Sequence, residues 1–457
     1  MDVLLSRDPS GFVFKHNKEI YRAVNKAYQQ NYDHLIQSGL FNKLCSEGYL
    51  INHQELDDNR FNFDCYKIIK PVQIDFISYP YEWSFEQLKE AAITTLTVQK
   101  IALDYNMSLK DASAYNVQFI DTKPVFIDTL SFEIYKEGFP WIAYKQFCQH
   151  FLAPLLLMAY KDLRLQKLLN NFMDGIPLDL TNSLLPFKFL IDPKVLLHIT
   201  LHSKAQKKFG DKKADLKEGD FSKNSFYRLI DNLLSSVKSI KLKNINSHWI
   251  NYYNGDNSNP EYINHKKELI SLFLDRVKPG TLWDLGSNTG VFSKVASAKN
   301  IKVICFDSDP IIVNKVYVDC KFRNEKNILP LVMDLINPSS ASGWAESEHK
   351  SLTERASAEM VMALALVHHL AITNNIPLHS IAEYLANLSG KLLIEFIPKD
   401  DANTQILLRS REDIFSDYNQ SNFENEFNKF FTIIAKEKIN SSERTLYLME
   451  KHKLRSV

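Results

Sequence analysis

Three scarcities bound this chain before any motif is read. Its 457 residues hold five cysteines, Cys45, Cys65, Cys148, Cys305 and Cys320, and none forms a CxxC pair. An odd, scattered set speaks against a disulfide framework or a zinc cage and for a reducing compartment, so no metal is expected. Charge of one sign is missing as well: 55 Lys and Arg against 54 Asp and Glu leave a formal net charge of +1. No global field then draws the chain to nucleic acid or an acidic membrane. Nor is there a long apolar run. The most apolar stretch, FLAPLLLMAY from Phe151 to Tyr160, falls far short of the ~20 residues of a membrane span and contains Pro154. The opening MDVLLSRDPSGF has no basic region followed by a sustained apolar one, so no secretion signal is expected and the cytoplasm is the default location.

What is present is length. One core stops growing at roughly 250 to 300 residues, so this chain should hold two or more domains. KAQKKFGDKKADLKEGDFSKN (204–224) has the densest lysine in the chain and little apolar content, which suits an exposed linker. The expected division is an N-terminal α+β domain over 1–203, the Lys-rich linker and a connecting helix over 204–244, and a C-terminal domain over 245–457.

The C-terminal part alternates strand and helix patterns. TLWDLG, KVICFD, ILPLVMDL, AEMVMALAL and KLLIEFIP read as buried strands, separated by helical spacings such as DPIIVNKVYVDC and IPLHSIAEYLANLS. FFTIIAKEKI and RTLYLMEK flank NSSE as a terminal hairpin. This predicts an α/β, doubly wound, Rossmann-like sheet closed by an antiparallel hairpin. Its ligand belongs at the carboxyl ends of the strands, where the first loop reads Asp284-Leu-Gly286-Ser-Asn288-Thr-Gly290. Gly286 allows a tight turn and close approach of backbone to ligand, and Gly290 close packing of the next helix. The GxGxxG spacing of a dinucleotide site is absent, and an acid precedes the loop. An acid suits an ammonium better than a pyrophosphate, as in S-adenosylmethionine.

Acids also follow the next two strands: Asp307, with Asp309 two residues on, and Asp334. With these the tail from Thr281 resembles class I S-adenosylmethionine-dependent methyltransferases, with Asn288 where the middle glycine of D/ExGxGxG usually stands. The resemblance implies a seven-stranded sheet, S-adenosylmethionine as cofactor, Asp307 on the ribose hydroxyls and Asp334 facing the adenine amino group. Asp309-Pro310 also reads as a helix cap. Along nearly the whole chain, DPSGFVF, FISYPYEWSF, LKDASAYNVQF, VFIDTLSFE, FCQHFLAPL, DGIPLDL, LALVHHLAITNNIPL, IEFIPKDD and SREDIFSDY look like the bacterial family of NoeA-like nodulation methyltransferases.

Methyl transfer to a hydroxyl needs somewhere for the proton to go. His368 and His369 end the fourth strand and have the pKa range for it; His368 is slightly preferred. Glu395 and Lys399, with Asp400, are candidates for lining an acceptor site. Trp249, Tyr252, Tyr253 and Tyr262 read either as a lid or as aromatic packing. The Asn/Asp-Pro-Pro-aromatic turn used on amino groups of bases is absent, which favours a small-molecule, sugar or lipid-linked acceptor over a nucleobase. Protein acceptors stay open.

The front half offers a second pattern. Asp111 precedes Asn116 by five, then come a strand, the turn DTKP, a second strand and Asp128. Protein kinases share that order of catalytic Asp, metal-binding Asn and metal-binding Asp. Lys67 or Lys70 of YKIIKP would meet phosphates. Leu109-Lys110 and Thr129-Leu130 depart from the kinase pattern, and no Gly-rich loop lies upstream. A hairpin flanked by polar caps accounts for the same residues. Two functions therefore stand: a methyltransferase with an accessory domain, or a bifunctional or regulatory protein with a nucleotide-binding front half and a cofactor-sensing tail.

Overall fold

The computed structural model describes residues 2–3, 8–56, 61–190, 192–200, 221–242, 260–409 and 412–452. The chain forms two compact units, Met1–Ile245 with Ala341–His349, and Asn246–Ser340 with Lys350–Val457. Most of the Lys-rich segment lies outside the described residues, as do Trp249, Tyr252 and Tyr253.

In the first unit, β1 (Asp2–Val3), β2 (Gly11–His16), β3 (Glu19–Val24), β4 (His53–Leu56) and β5 (Lys67–Pro71) form one antiparallel sheet in the order β1-β2-β3-β5-β4. Asn17 and Lys18 both take positive φ, 50° and 69°, which turns β2 into β3 with the twist a two-residue hairpin needs. Alternation then sends Phe14, Tyr21, Ala23 and Ile68 to one core and Val24 and Ile69 to another, shared with Tyr28, Tyr32 and Leu130. The helix Phe85–Asp104 follows, started by Ser84, whose N–H donates to Gln87 Oε1 at 2.9 Å. Helix Lys223–Ser239 packs on it through buried Phe226, Ile230, Leu233 and Val237, one apolar stripe. After the long helix come β6 (Met107–Leu109), β7 (Val117–Ile120), β8 (Lys123–Phe126) and β9 (Phe132–Ile134). β7 and β8 form a hairpin, and β6 pairs antiparallel with β9.

The second unit holds β10 (Thr281–Leu285), β11 (Lys302–Asp307), β12 (Ile328–Val332), β13 (Met360–Ala363), β14 (Lys391–Phe396), β15 (Phe431–Lys438) and β16 (Thr445–Lys451). They make one sheet in the order β12-β11-β10-β13-β14-β16-β15. β10 to β14 pair in parallel, and β16 runs antiparallel between β14 and β15. This is the doubly wound seven-stranded sheet with a terminal hairpin that the alternation of elements predicts. Strands such as ILPLV and MVMA are buried at every position, as parallel strands covered on both faces must be. Order reverses at β10, which has β11 on one side and β13 on the other. A crevice therefore opens beyond the carboxyl ends of β10 and β13. Among the described residues, no helix is long and apolar enough to cross a membrane.

Candidate functional site

A cavity of about 370 Å³ occupies that crevice. Gly286, Asn288, Asp307, Asp334, Ala365 and His369 are among the residues that line it. Gly286 takes φ 75°, the region that favours glycine, and a Cβ there would stand 3.4 Å from Leu366 Cδ1. Asn288 takes φ 48°, a conformation asparagine tolerates better than most side chains. The replacement of the usual middle glycine thus leaves the loop's turn intact. Gly290 is held by its φ of 69° rather than by crowding, since a Cβ would meet Val316 at an ordinary 3.6 Å.

Asp307 closes the loop from β11. Its carboxylate accepts from the Asn288 N–H at 2.9 Å and from the Asp309 N–H at 2.9 Å. Burial raises its pKa, and those backbone donors oppose the rise. Both oxygens retain acceptor capacity toward neutral donors. Asp334, also on the cavity wall, accepts from the Ile336 N–H at 3.0 Å. Asp309 instead caps the helix Pro310–Phe322 through the Ile311 N–H at 2.8 Å.

Asp284 lies beneath the loop rather than on the cavity wall, 2 % exposed, accepting a hydrogen bond from the Ser293 hydroxyl. Burial pushes its carboxyl up to about 7, against the pull of Ser293 and of Lys266. Glu395, expected at the acceptor site, is also fully buried. It accepts from Lys266 Nζ at 2.7 Å, from the Tyr262 hydroxyl at 2.9 Å and from the Ala365 N–H at 2.8 Å. Arg444 donates to Tyr262 at 3.1 Å and to Asp401 at 2.8 and 3.1 Å. Burial alone would raise the Glu395 pKa; Lys266 and Arg444 outweigh it and hold the carboxyl below its usual range. The hydrogen bond from Ala365, whose φ is 47°, fixes the cavity's β13 loop from below. For Tyr262, packing is the reading that fits its place.

The two histidines part company. His369 lines the cavity, while His368 is fully buried with neither ring nitrogen in a hydrogen bond. Burial lowers both pKa values, that of His368 further, with His369, Arg444 and Lys266 adding to the effect. For His369 burial thus favours the neutral imidazole, the form a proton acceptor needs. Lys399 is not among the residues lining this cavity and pairs with Asp413 at 2.8 Å. A second cavity of about 650 Å³ shares the turn His369–Thr373 through Ala371; Phe415, Tyr418, Asp417, Asn422 and Lys429 help to line it.

In the first unit, Asp111, Asn116 and Asp128 come together. Asp111 accepts from the Ser113 N–H at 2.9 Å and is hydrogen-bonded by Asn116 and Gln146. Asn116 donates to Ser131 Oγ at 3.1 Å, and Ser131 donates to Asp128 at 2.6 Å. Asp128 forms an ion pair with Arg22 of β3. Burial raises the Asp111 pKa, and the Asp128 carboxylate adds to it. Lys67 and Lys70 are taken by Glu55 and Glu19, at 2.9 and 2.8 Å.

Sequence reasoning missed Arg22, Ser293, Lys266, Arg444 and the Leu364–Leu366 wall. Only Lys266 left a readable signal, four residues after Tyr262 and so on one face of a single helix.

No family model matches the chain. It is 35 % identical to the nodulation protein NoeA of Rhizobium meliloti strain 1021 over 454 residues, 97 % of this chain and 95 % of that one. Among solved structures, the N-methyltransferase NodS of Bradyrhizobium japonicum WM9 matches with 10 % identity and a TM-score of 0.32, covering 43 % of this chain and 99 % of that one. A putative O-methyltransferase of Nostoc punctiforme PCC 73102 matches with 12 % identity and a TM-score of 0.33, covering 44 % and 60 %. The magnesium protoporphyrin IX methyltransferase ChlM of Synechocystis PCC 6803, with bound SAH, matches with 14 % identity and a TM-score of 0.30, covering 41 % and 84 %.

Proposed function

We propose that this chain, which belongs to the NoeA family of bacterial nodulation proteins and is an S-adenosylmethionine-dependent methyltransferase, acts on a small-molecule, sugar or lipid-linked acceptor. The observation that carries the cofactor assignment is Asp307. It is an acid at the end of the strand next to β10, on the wall of the switch-point cavity, with two backbone N–H donors at its carboxylate. Such a carboxylate suits the two neutral hydroxyl donors of a ribose. Gly286 and Asn288 would hold the amino-acid end by backbone, Asp334 the adenine amino group. The cofactor supplies an electrophilic methyl carbon on a sulfonium.

The protein's own share is alignment and exclusion of water, which can be worth on the order of 7 to 11 kcal/mol. His369 Nδ1 or Nε2 would take the proton of an acceptor hydroxyl, and Leu364, Leu366 and Leu370 keep that part of the wall apolar. The second cavity, with Phe415 and Tyr418 beside Asp417, Asn422 and Lys429, has the mixture of ring faces and polar groups that a polyhydroxylated acceptor requires. Calorimetric titration with S-adenosylmethionine and its demethylated product tests the reading. Saturable binding weakened about tenfold or more by Asp307→Ala, roughly 1.4 kcal/mol, supports it; no binding by the folded wild type overturns it. Methyl transfer to supplied glycans but not to bases or protein would then support the acceptor class.

A further inference from the structure

The first unit holds a constellation that methyl transfer does not use. Asp111 follows β6, Asn116 precedes β7, Asp128 follows β8, and Arg22 reaches them from β3 of the five-stranded sheet. Four separate elements thus converge on one place. Pairing of β6 with β9, at Leu109 and Phe132, draws the two aspartate-bearing loops together. The same order, a loop aspartate, an asparagine five residues on, a hairpin and a second aspartate, with a cation supplied from the third strand, holds nucleotide and metal in protein kinases.

The charges point the same way. Asp128 pairs with the Arg22 guanidinium, whose Nε is buried with no hydrogen-bond partner, and the neighbouring Asp111 carboxylate is held by the neutral donors Ser113 N–H, Asn116 and Gln146. Lys110 does not make up the balance, because its ammonium is drawn to Asp8 at 3.3 Å and lies over the Tyr28 ring. Among the described residues no group of three or more His, Cys, Asp or Glu could hold a metal ion. Magnesium does not need one: it takes one or two carboxylates and completes its shell with phosphate oxygens and water.

We propose that the first unit binds a magnesium–nucleoside polyphosphate, with Asn116 and Asp128 as metal ligands and Arg22 as the phosphate-binding cation. Arg22 is poised to change partners. Without ligand it neutralises Asp128; when the metal takes that carboxylate, the guanidinium is released to the phosphate, which its planar fork fits. Arg22 therefore opposes the metal alone and favours metal with nucleotide, and its removal must move the two affinities in opposite directions.

The test is calorimetry on the full chain with Mg-ATP, with ATP in EDTA and with Mn²⁺ alone. It is run in both the wild type and the Asp307→Ala background, so that adenine binding in the methyltransferase cavity is distinguished. The expected result is saturable Mg-ATP binding that survives Asp307→Ala and weakens about tenfold or more without metal. Arg22→Met should weaken Mg-ATP yet tighten Mn²⁺ alone, Arg22→Lys should restore Mg-ATP in part, and Asn116→Ala should weaken both metal signals. Thermal melting of each variant checks that it folds. No saturable binding by the wild type, binding indifferent to metal, or an Arg22→Met effect of the same sign on both probes overturns the proposal.

Discussion

Each unit buries a cluster of charged side chains, and the two clusters are built on opposite principles. In the second unit Glu395, Lys266, Tyr262, Arg444 and Asp401 satisfy one another; Lys266 and Glu395 are 2 % and 0 % exposed at the side chain. In the first, Asp128 pairs with the Arg22 guanidinium, whose Nε is buried and unpartnered, beside an Asp111 carboxylate held by neutral donors. A closed, saturated network can only hold shape, and here it holds Ala365 under the cavity. An unsaturated one has capacity left for a ligand and gives up stability to keep it. The difference separates scaffold from candidate site by saturation rather than by charge, since both clusters join carboxylates to cations.

The sharpest way to break this contrast is to open the saturated network. Lys266→Met leaves Glu395 buried without its ammonium partner, and a loss of about 3 to 5 kcal/mol in urea unfolding is expected. A loss below about 1 kcal/mol would mean that Arg444 alone suffices and that the network is not a closed unit. Next come the neighbouring histidines. His369→Gln should lower methyl transfer about a hundredfold or more for a hydroxyl acceptor, while His368→Leu leaves turnover unchanged and removes an unpartnered polar ring whose burial costs about 1 to 3 kcal/mol. Equal kinetic losses from both substitutions would contradict the division of roles.

Asp284 adds a pH dependence. Its folded pKa of about 7 lies above the ordinary carboxylate value, so the unfolded chain gives up its proton first as pH rises. The contribution of Asp284 to stability is fully present below about pH 4 and is lost progressively up to about 7. Asp284→Asn should flatten that part of the stability profile, as read by melting temperature against pH. The smallest effect belongs to the open cluster: Asp111→Asn relieves a carboxylate that burial and Asp128 both disfavour, and stability should change by less than about 1 kcal/mol, toward gain. A large loss would show that Asp111 is structural after all.

Much of the second unit was legible because its information is local. Period and punctuation placed KVICFD with the boundaries the structure has and TLWDLG one residue too long, Gly286 already turning at φ 75°, and alternation with helices implied the sheet's winding. The strand ending near Asp334 is shorter than its apolar letters suggested, because Met333 already lies in the loop. The site was legible only where a strand end decides a residue's place, as it does for Asp307. Glu395 stands at an equally suggestive strand end, yet its side chain points into the sheet's interior cluster.

The chain's own spacing determined the seven-stranded α/β architecture, the turn at Gly286 and Asn288, and the nearness of Asp111 to Asn116, since each follows from hydrophobic period or from a few bonds of backbone. Only the tertiary structure decided between His368 and His369, sent Asp284 and Glu395 inward, and set Arg22 on Asp128. Those outcomes depend on burial and on partners brought from distant strands, and electrostatic free energy is fixed by distance and dielectric in space, quantities that sequence separation does not encode.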